Sequence, residues 1–217
     1  MKPKIYDLTP KISSRLAVFP GDQPFARTVA LSFTHGHHLE LSSMHTTLHL
    51  GAHADAPSHY HREGAPIDQR PVERYVGPAQ VIRVNGLTAG ERVYPHHVQT
   101  QIVAPRVLFD TQSFQNPELW NSSFNSLSPE LLHWLADQQV RLVGIDTPSV
   151  DPVDSKLLES HQALFARDFA VLEGLFLKDV PEGEYTLIAL PLPLEGADAS
   201  PVRAILLPKG QAFGDWE

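Results

Sequence analysis

Two histidines and an aspartate recur at alternate positions in one short stretch. His49, His53 and Asp55, with Gly51 between them, are interleaved with Leu48, Leu50, Ala52 and Ala54. An extended strand here sets two imidazoles and a carboxylate on one face and an apolar row on the other. Imidazole and carboxylate together suit a borderline divalent ion such as zinc, and the lack of any thiolate in the chain argues against a purely structural zinc site. A helix would also align His49 with His53, but Thr46, Thr47, Gly51 and Pro57 disfavour one. A hydrolytic centre needs several protein ligands and an open position where a water can lose a proton near neutral pH and attack a carbonyl. His59 lies past Pro57, which breaks the strand. It can be a further ligand, yet its offset favours a free imidazole, whose pKa of about 7 suits a general acid and base. The bland alternative is a histidine-rich strand whose side chains only hydrogen-bond.

A second constellation comes far later in the chain. Glu173 interrupts the apolar run 170–177, and a carboxylate in a buried strand is costly unless it is paired or coordinates a cation. Arg203 is one possible partner; a metal is another. Asp55 and Glu173 can each bridge two ions, and His161, in a segment that reads as a helix over 155–165 opened by Asp154 or Ser155, can be a terminal ligand. Together these residues describe a two-metal site. The run His35, Gly36, His37, His38 reads instead as a solvated polar loop.

These residues need strands to hold them. Strand patterns fall at 5–8, 27–34 (with Val29, Leu31 and Phe33 on one side), 39–50, 79–85, 106–109, 143–146, 170–177, 185–193 and 202–208. Ser128, Pro129 and Glu130 mark a helix start followed by Leu131, Leu132, Trp134 and Leu135 at helical spacing. Residues 57–66 read as an irregular loop. Pro20, Gly21 and Asp22 form a turn signal between Phe19 and Phe25, two rings that staple the turn to the core.

The composition excludes much else. At 217 residues the chain fits one domain spanning 1–217. Zero cysteines remove disulfide frameworks, iron–sulfur clusters and cysteine nucleophiles. A net charge of −8 argues against nucleic acid as a partner. A polar N-terminal stretch with no apolar h-region, and no later stretch as long as a membrane span, lead to the expectation of a soluble, cytoplasmic protein with no membrane partner.

The stretch 49–59 resembles the signature of the metal-dependent cyclase-like hydrolase family, H-x-G-T-H-x-D-x-P-x-H, with Ala52 at the Thr position as in the bacterial kynurenine formamidases of that family. Stretches 6–10, 18–22, 144–149, 172–175, 188–192 and 198–203 are similar to the same enzymes in the same order. The resemblance implies a single α/β domain with a central, largely antiparallel, barrel-like β arrangement and peripheral helices, the swivelling β/α fold of the family. It implies a zinc centre, two ions per subunit with manganese or cobalt as substitutes, held by His49, His53, Asp55, His161 and Glu173, with Asp55 and Glu173 bridging. His59 becomes the proton donor and acceptor. Phe19 falls near the substrate ring at a position that is usually Trp. The implied reaction is hydrolysis of N-formyl-L-kynurenine to L-kynurenine and formate, in a homodimer whose partner's N-terminal region lies near the site. The rival readings are a relative that opens a cyclic amide such as isatin, and a metal-binding protein without turnover.

Overall fold

The structure, a computed structural model, describes residues 4–211; residues 1–3 of the polar N-terminal stretch lie outside the described residues. Nine strands form one sheet. In spatial order they are β1 (Tyr6–Asp7), β13 (Ile205–Pro208), β11 (Gly183–Ile188), β5 (Val76–Arg83), β7 (Arg106–Asp110), β9 (Leu142–Ile145), β10 (Ala170–Glu173), β4 (His53–Asp55) and β12 (Ala199–Pro201). The centre, from β5 through β7 and β9 to β10, is parallel, and every pairing outside it is antiparallel. The central strands are near-continuous apolar runs because both faces are covered, as parallel pairing requires. Two crossovers there run through helices: α2 (Pro129–Asp137) between β7 and β9, and α3 (Glu159–Ala166) between β9 and β10.

The sheet curls into a half-barrel. Backbone bonds from Leu8 to the Ala204 carbonyl and from Phe176 to the Leu8 carbonyl, each 2.8 Å, carry the chain beyond β10 back to the β1 edge. The concave face encloses one apolar core around Leu8, Tyr75, Leu172, Leu187 and Leu206. The other face packs Val107, Phe109, Val143 and Val171 against Leu131, Leu132 and Leu135 of α2 and Leu164 of α3. Ser128 caps α2 by accepting the Leu131 amide at 3.0 Å, with Pro129 at the first helical position, as the sequence predicts.

Several elements depart from the sequence pattern. The strand expected over 39–50 ends early: β3 (Leu41–His45) pairs with β2 (Ala26–Leu31) in a separate two-stranded sheet, and the backbone turns irregularly from Thr46 to Ala52. Val29, Phe33, Leu41 and Met44 are exposed on that hairpin rather than half-buried, because it lies off both cores. Gly51 adopts φ +56°, a left-handed conformation that ends strict alternation two residues before β4. Residues 57–66 begin with a single helical turn, α1 (Pro57–Tyr60). Helix α3 starts at Glu159, after a left-handed Leu158, so Ser155 caps only a preceding turn by accepting the Leu158 amide at 3.0 Å. Two short strands, β6 (Arg92–Val93) and β8 (Ser126–Leu127), pair parallel and carry no sequence pattern of their own.

One close approach fixes the strand ends around the site. Gly174, immediately after β10, sits at φ +64°, and a β-carbon there would collide with the Gly51 carbonyl. Gly174→Ala is therefore expected to destabilise the fold by about 2–4 kcal/mol, read as a lowered midpoint in urea unfolding with an unchanged m-value.

Candidate metal centre

Four of the five expected metal ligands come from two adjacent strands and one helix. The β4–β10 ladder places Glu173 directly opposite His53, and Asp55 shares the His53 face two residues on. Helix α3 packs on that side of the sheet and brings in His161. His49 arrives from the irregular segment before Gly51, not from the strand. Its approach to the others is thus a product of the turn rather than of β alternation. The alternative carboxylate–arginine pair does not form: Arg203 binds Asp7 at the surface, with contacts of 2.5–3.0 Å. Glu173 turns inward to the histidines.

The donors converge closely. His49 Nδ1 lies 3.0 Å from Asp55 Oδ1, and His53 Nε2 lies 3.3 Å from that oxygen and 3.4 Å from Glu173 Oε2. His161 Nε2 is 3.4 Å from Asp55 Oδ2 and 3.5 Å from Glu173 Oε1. His53, Asp55, His161 and Glu173 are all buried. The outer nitrogen of each imidazole is already committed. His53 Nδ1 donates to the Gly51 carbonyl and His161 Nδ1 to Asp151 Oδ2, both at 2.8 Å, while His49 Nε2 donates to Asp198 Oδ2 at 3.0 Å. In the neutral rings these bonds leave the inner nitrogens as lone pairs that face carboxylate lone pairs. Accordingly His53 Nε2, His161 Nε2 and both Asp55 oxygens are buried without a hydrogen-bond partner among the described residues.

Such an arrangement demands positive charge between the donors. Burial would push the His53 imidazole down, but Asp55 and Glu173 override it and raise it to about 10. The same contest, with Asp151, Asp55 and Glu173 as the winning partners, lifts His161 well above its ordinary value. Burial and the Asp55 charge push Glu173 up, yet His161 and His53 hold it below the usual carboxylate range. The donor set, nitrogen and oxygen without sulfur, fits a borderline divalent cation. Two triads have donor atoms within 4.8 Å of one another: His53 with Asp55 and Glu173, and His49 with Asp55 and His59. Asp55 belongs to both, as a bridging carboxylate would.

His59 stands beside this cluster on α1. Its ring centroid is 4.1 Å from that of His49, its Nδ1 is 3.6 Å from Asp198 Oδ2, and its side chain is 35% exposed. Desolvation of the covered part of the ring lowers its pKa below the ordinary imidazole value. A cavity of about 460 Å³ opens over His49, His53, His59, His161 and Glu173. Phe19 is part of its wall rather than only a staple for the turn, and it packs edge-on against Trp120 at 5.1 Å between centroids.

Residues 6–152 match the model of the Cyclase family. The chain belongs to the cyclase family. It is similar to the kynurenine formamidases of Bordetella petrii and Bordetella pertussis, each 42% identical over 94% of this chain and 97% of theirs. It also resembles a solved structure described as a "potential metal-dependent hydrolase with cyclase activity", with a TM-score of 0.81 and 30% identity over 96% of this chain and 99% of that one. Isatin hydrolase A from Labrenzia aggregata shares the fold, with a TM-score of 0.80 at 23% identity, over 94% of this chain and 93% of that one. The largely antiparallel α/β architecture expected from the sequence is the cyclase fold. No helix among the described residues is long and apolar enough to cross a membrane.

Sequence reasoning missed the groups that orient the centre. Asp151 accepts the Ser160 and His161 backbone amides at 3.0 Å each as well as the His161 ring, and Arg92 reaches its other side at 3.2 Å. It thus caps α3 from nine residues upstream, and its position between Val150 and Pro152 carried no periodic signal. The Val150 amide donates to Glu173 Oε1 at 2.7 Å, and Asp198 opens the stretch 198–203, whose resemblance to the family assigned it no role. Asp146, at the end of β9, is pushed up to about 7 by burial, against bonds from Thr111 and Gln112. Because Asp151 holds the His161 ring, Asp151→Asn should weaken divalent-metal affinity by about 10- to 100-fold in chelator competition, with the circular dichroism spectrum retained.

Proposed function

We propose that this chain, a single hydrolase domain over 1–217, is a metal-dependent kynurenine formamidase that hydrolyses N-formyl-L-kynurenine to L-kynurenine and formate. The observation that carries the reading is the cluster of unpartnered imidazole and carboxylate donors at the floor of an aromatic-walled cavity, with a less buried imidazole beside it. The similarity to kynurenine formamidases over nearly the full length of both chains supports the same substrate.

In this reading His49, His53, Asp55, His161 and Glu173 would hold zinc, two ions per subunit; manganese and cobalt suit the same donors. Bound metal supplies an activated water and a Lewis acid for the formyl oxygen. The remaining work falls to the chain. Gly51, Asp151 and Asp198 fix the imidazole tautomers so that the ligand nitrogens stay deprotonated and aimed inward. His59, neutral at pH 7 because its pKa is lowered, accepts the proton of the attacking water and returns it to the aryl amine nitrogen. Without that proton an aryl amide anion would be a poor leaving group. Phe19, backed by Trp120, flanks the substrate ring with less area than a Trp would give. The exposed apolar residues of the β2–β3 hairpin, Val29, Phe33, Leu41 and Met44, favour a homodimer, and the absence of cysteine suits a cytoplasmic enzyme.

Chelation should abolish formamidase activity and zinc should restore it. Among N-formyl-L-kynurenine, N-formylanthranilate and isatin the first should be turned over fastest; faster opening of isatin would overturn the assignment. His59→Asn should keep its metal content by elemental analysis while kcat falls about 10²- to 10⁴-fold, and the acidic limb of the pH profile, set below the ordinary imidazole value, should vanish. Near-normal turnover in that variant would remove His59 from the mechanism.

A further inference from the structure

Two charged side chains on the cavity wall take no part in the centre described above. Lys156 lies on the segment that precedes α3, and Asp22 lies on the turn that carries Phe19. Among the described residues Lys156 is the one Lys or Arg that lines this cavity; the carboxylates that line it are Asp22, Asp146, Glu173 and Asp198. Away from the metal ligands the wall carries the carboxylates of Asp22, Asp146 and Asp198, so an anionic group entering beside them meets Lys156 as its local cation. Lys156 has no ion-pair partner among the described residues, so its ammonium is available to a ligand.

Asp22 is placed differently. The Asp22 amide donates to the Phe19 carbonyl at 2.9 Å, closing a tight turn through Gly21 at φ +100°. One turn therefore presents a ring and a carboxylate to the same cavity. Asp22 Oδ2 accepts the Thr47 hydroxyl at 3.3 Å, which steadies the carboxylate and leaves its other oxygen free for a donor.

We propose that Lys156 and Asp22 form a subsite for a zwitterionic α-amino acid group, the Lys156 ammonium binding the α-carboxylate and Asp22 the α-ammonium. The inference rests on the arylformamidase reading and deepens it. Phe19 flanks the arene, the metal centre faces the formyl group, and this pair selects formylated arylamines that carry an amino-acid tail over those that do not. The two residues are distant in sequence, and each reaches the cavity from its own loop. Neither belongs to a core, so substitution there tests recognition rather than folding.

The test compares kcat/KM for N-formyl-L-kynurenine with that for N-formyl-2-aminoacetophenone, which keeps the ring and ketone but lacks the amino-acid group, using the full zinc-loaded protein. In Lys156→Met and in Asp22→Asn the ratio of the two should fall about tenfold, through KM for the tailed substrate, and Lys156→Arg should keep most of it. An unchanged ratio in both variants, with the parent enzyme active on N-formyl-L-kynurenine, would overturn the subsite while leaving the formamidase reading intact. Parent protein that turns over neither substrate would overturn both. Equal thermal midpoints across the set would show that any change in ratio is not unfolding.

Discussion

Two carboxylates buried against the lone pairs of three imidazoles form the interaction on which the rest of the structure depends. Asp55 and Glu173 lose their hydration in the fold, and with the outer nitrogens of His49, His53 and His161 already donating, the two carboxylates are balanced by protons on the inner nitrogens or by a cation held between the donors. An uncompensated cluster of this kind is strongly unfavourable, whereas a shared cation reverses the balance. The fold therefore holds its site in a state that a metal completes. Binding of an ion that the unfolded chain cannot grip adds directly to stability.

Holding those groups in place requires rigid neighbours on every side. Glu173 and His53 are register partners in the β4–β10 ladder, and the Val150 amide pins the free end of the Glu173 side chain. Asp151 binds the first turn of α3 and the ring of His161 at once, so the helix cannot slide without disturbing that imidazole. The Gly174–Gly51 approach locks the ends of the same two strands, and it presents the carbonyl that His53 needs. Each contact serves folding and coordination together, which is how a site acquires the precision that hydrolysis demands.

The site lies where the two cores part. Ala54 and Leu172 point into the curled interior, while His53, Asp55 and Glu173 point to the helical side, where α3 meets them through His161. The cavity opens there, and loops from distant parts of the chain finish its walls: the turn with Phe19, the segment before α3 and the stretch around Asp198. A floor of strands and helix is thus joined to walls built by loops.

Residue identity alone marked His49, His53, Asp55 and Glu173 as unusual, because histidines at fixed short spacing and a lone carboxylate in an apolar run are local properties. Ser128 and Pro129 likewise announced α2, since capping is read within four residues. The chain could not announce by pattern what depends on contacts across long separations. Asp151 and Asp198 show their roles only when α3 and His49 meet them, and the left-handed Gly51 turned an apparent eight-residue alternation over 48–55 into a three-residue strand with His49 delivered by a turn. The exposed hairpin failed its pattern for the same reason: burial is decided by what packs above a strand, not by the strand. Sequence determined which groups could bind a metal; tertiary structure decided which nitrogens face it, because tautomer and direction are set by acceptors supplied from elsewhere in the chain.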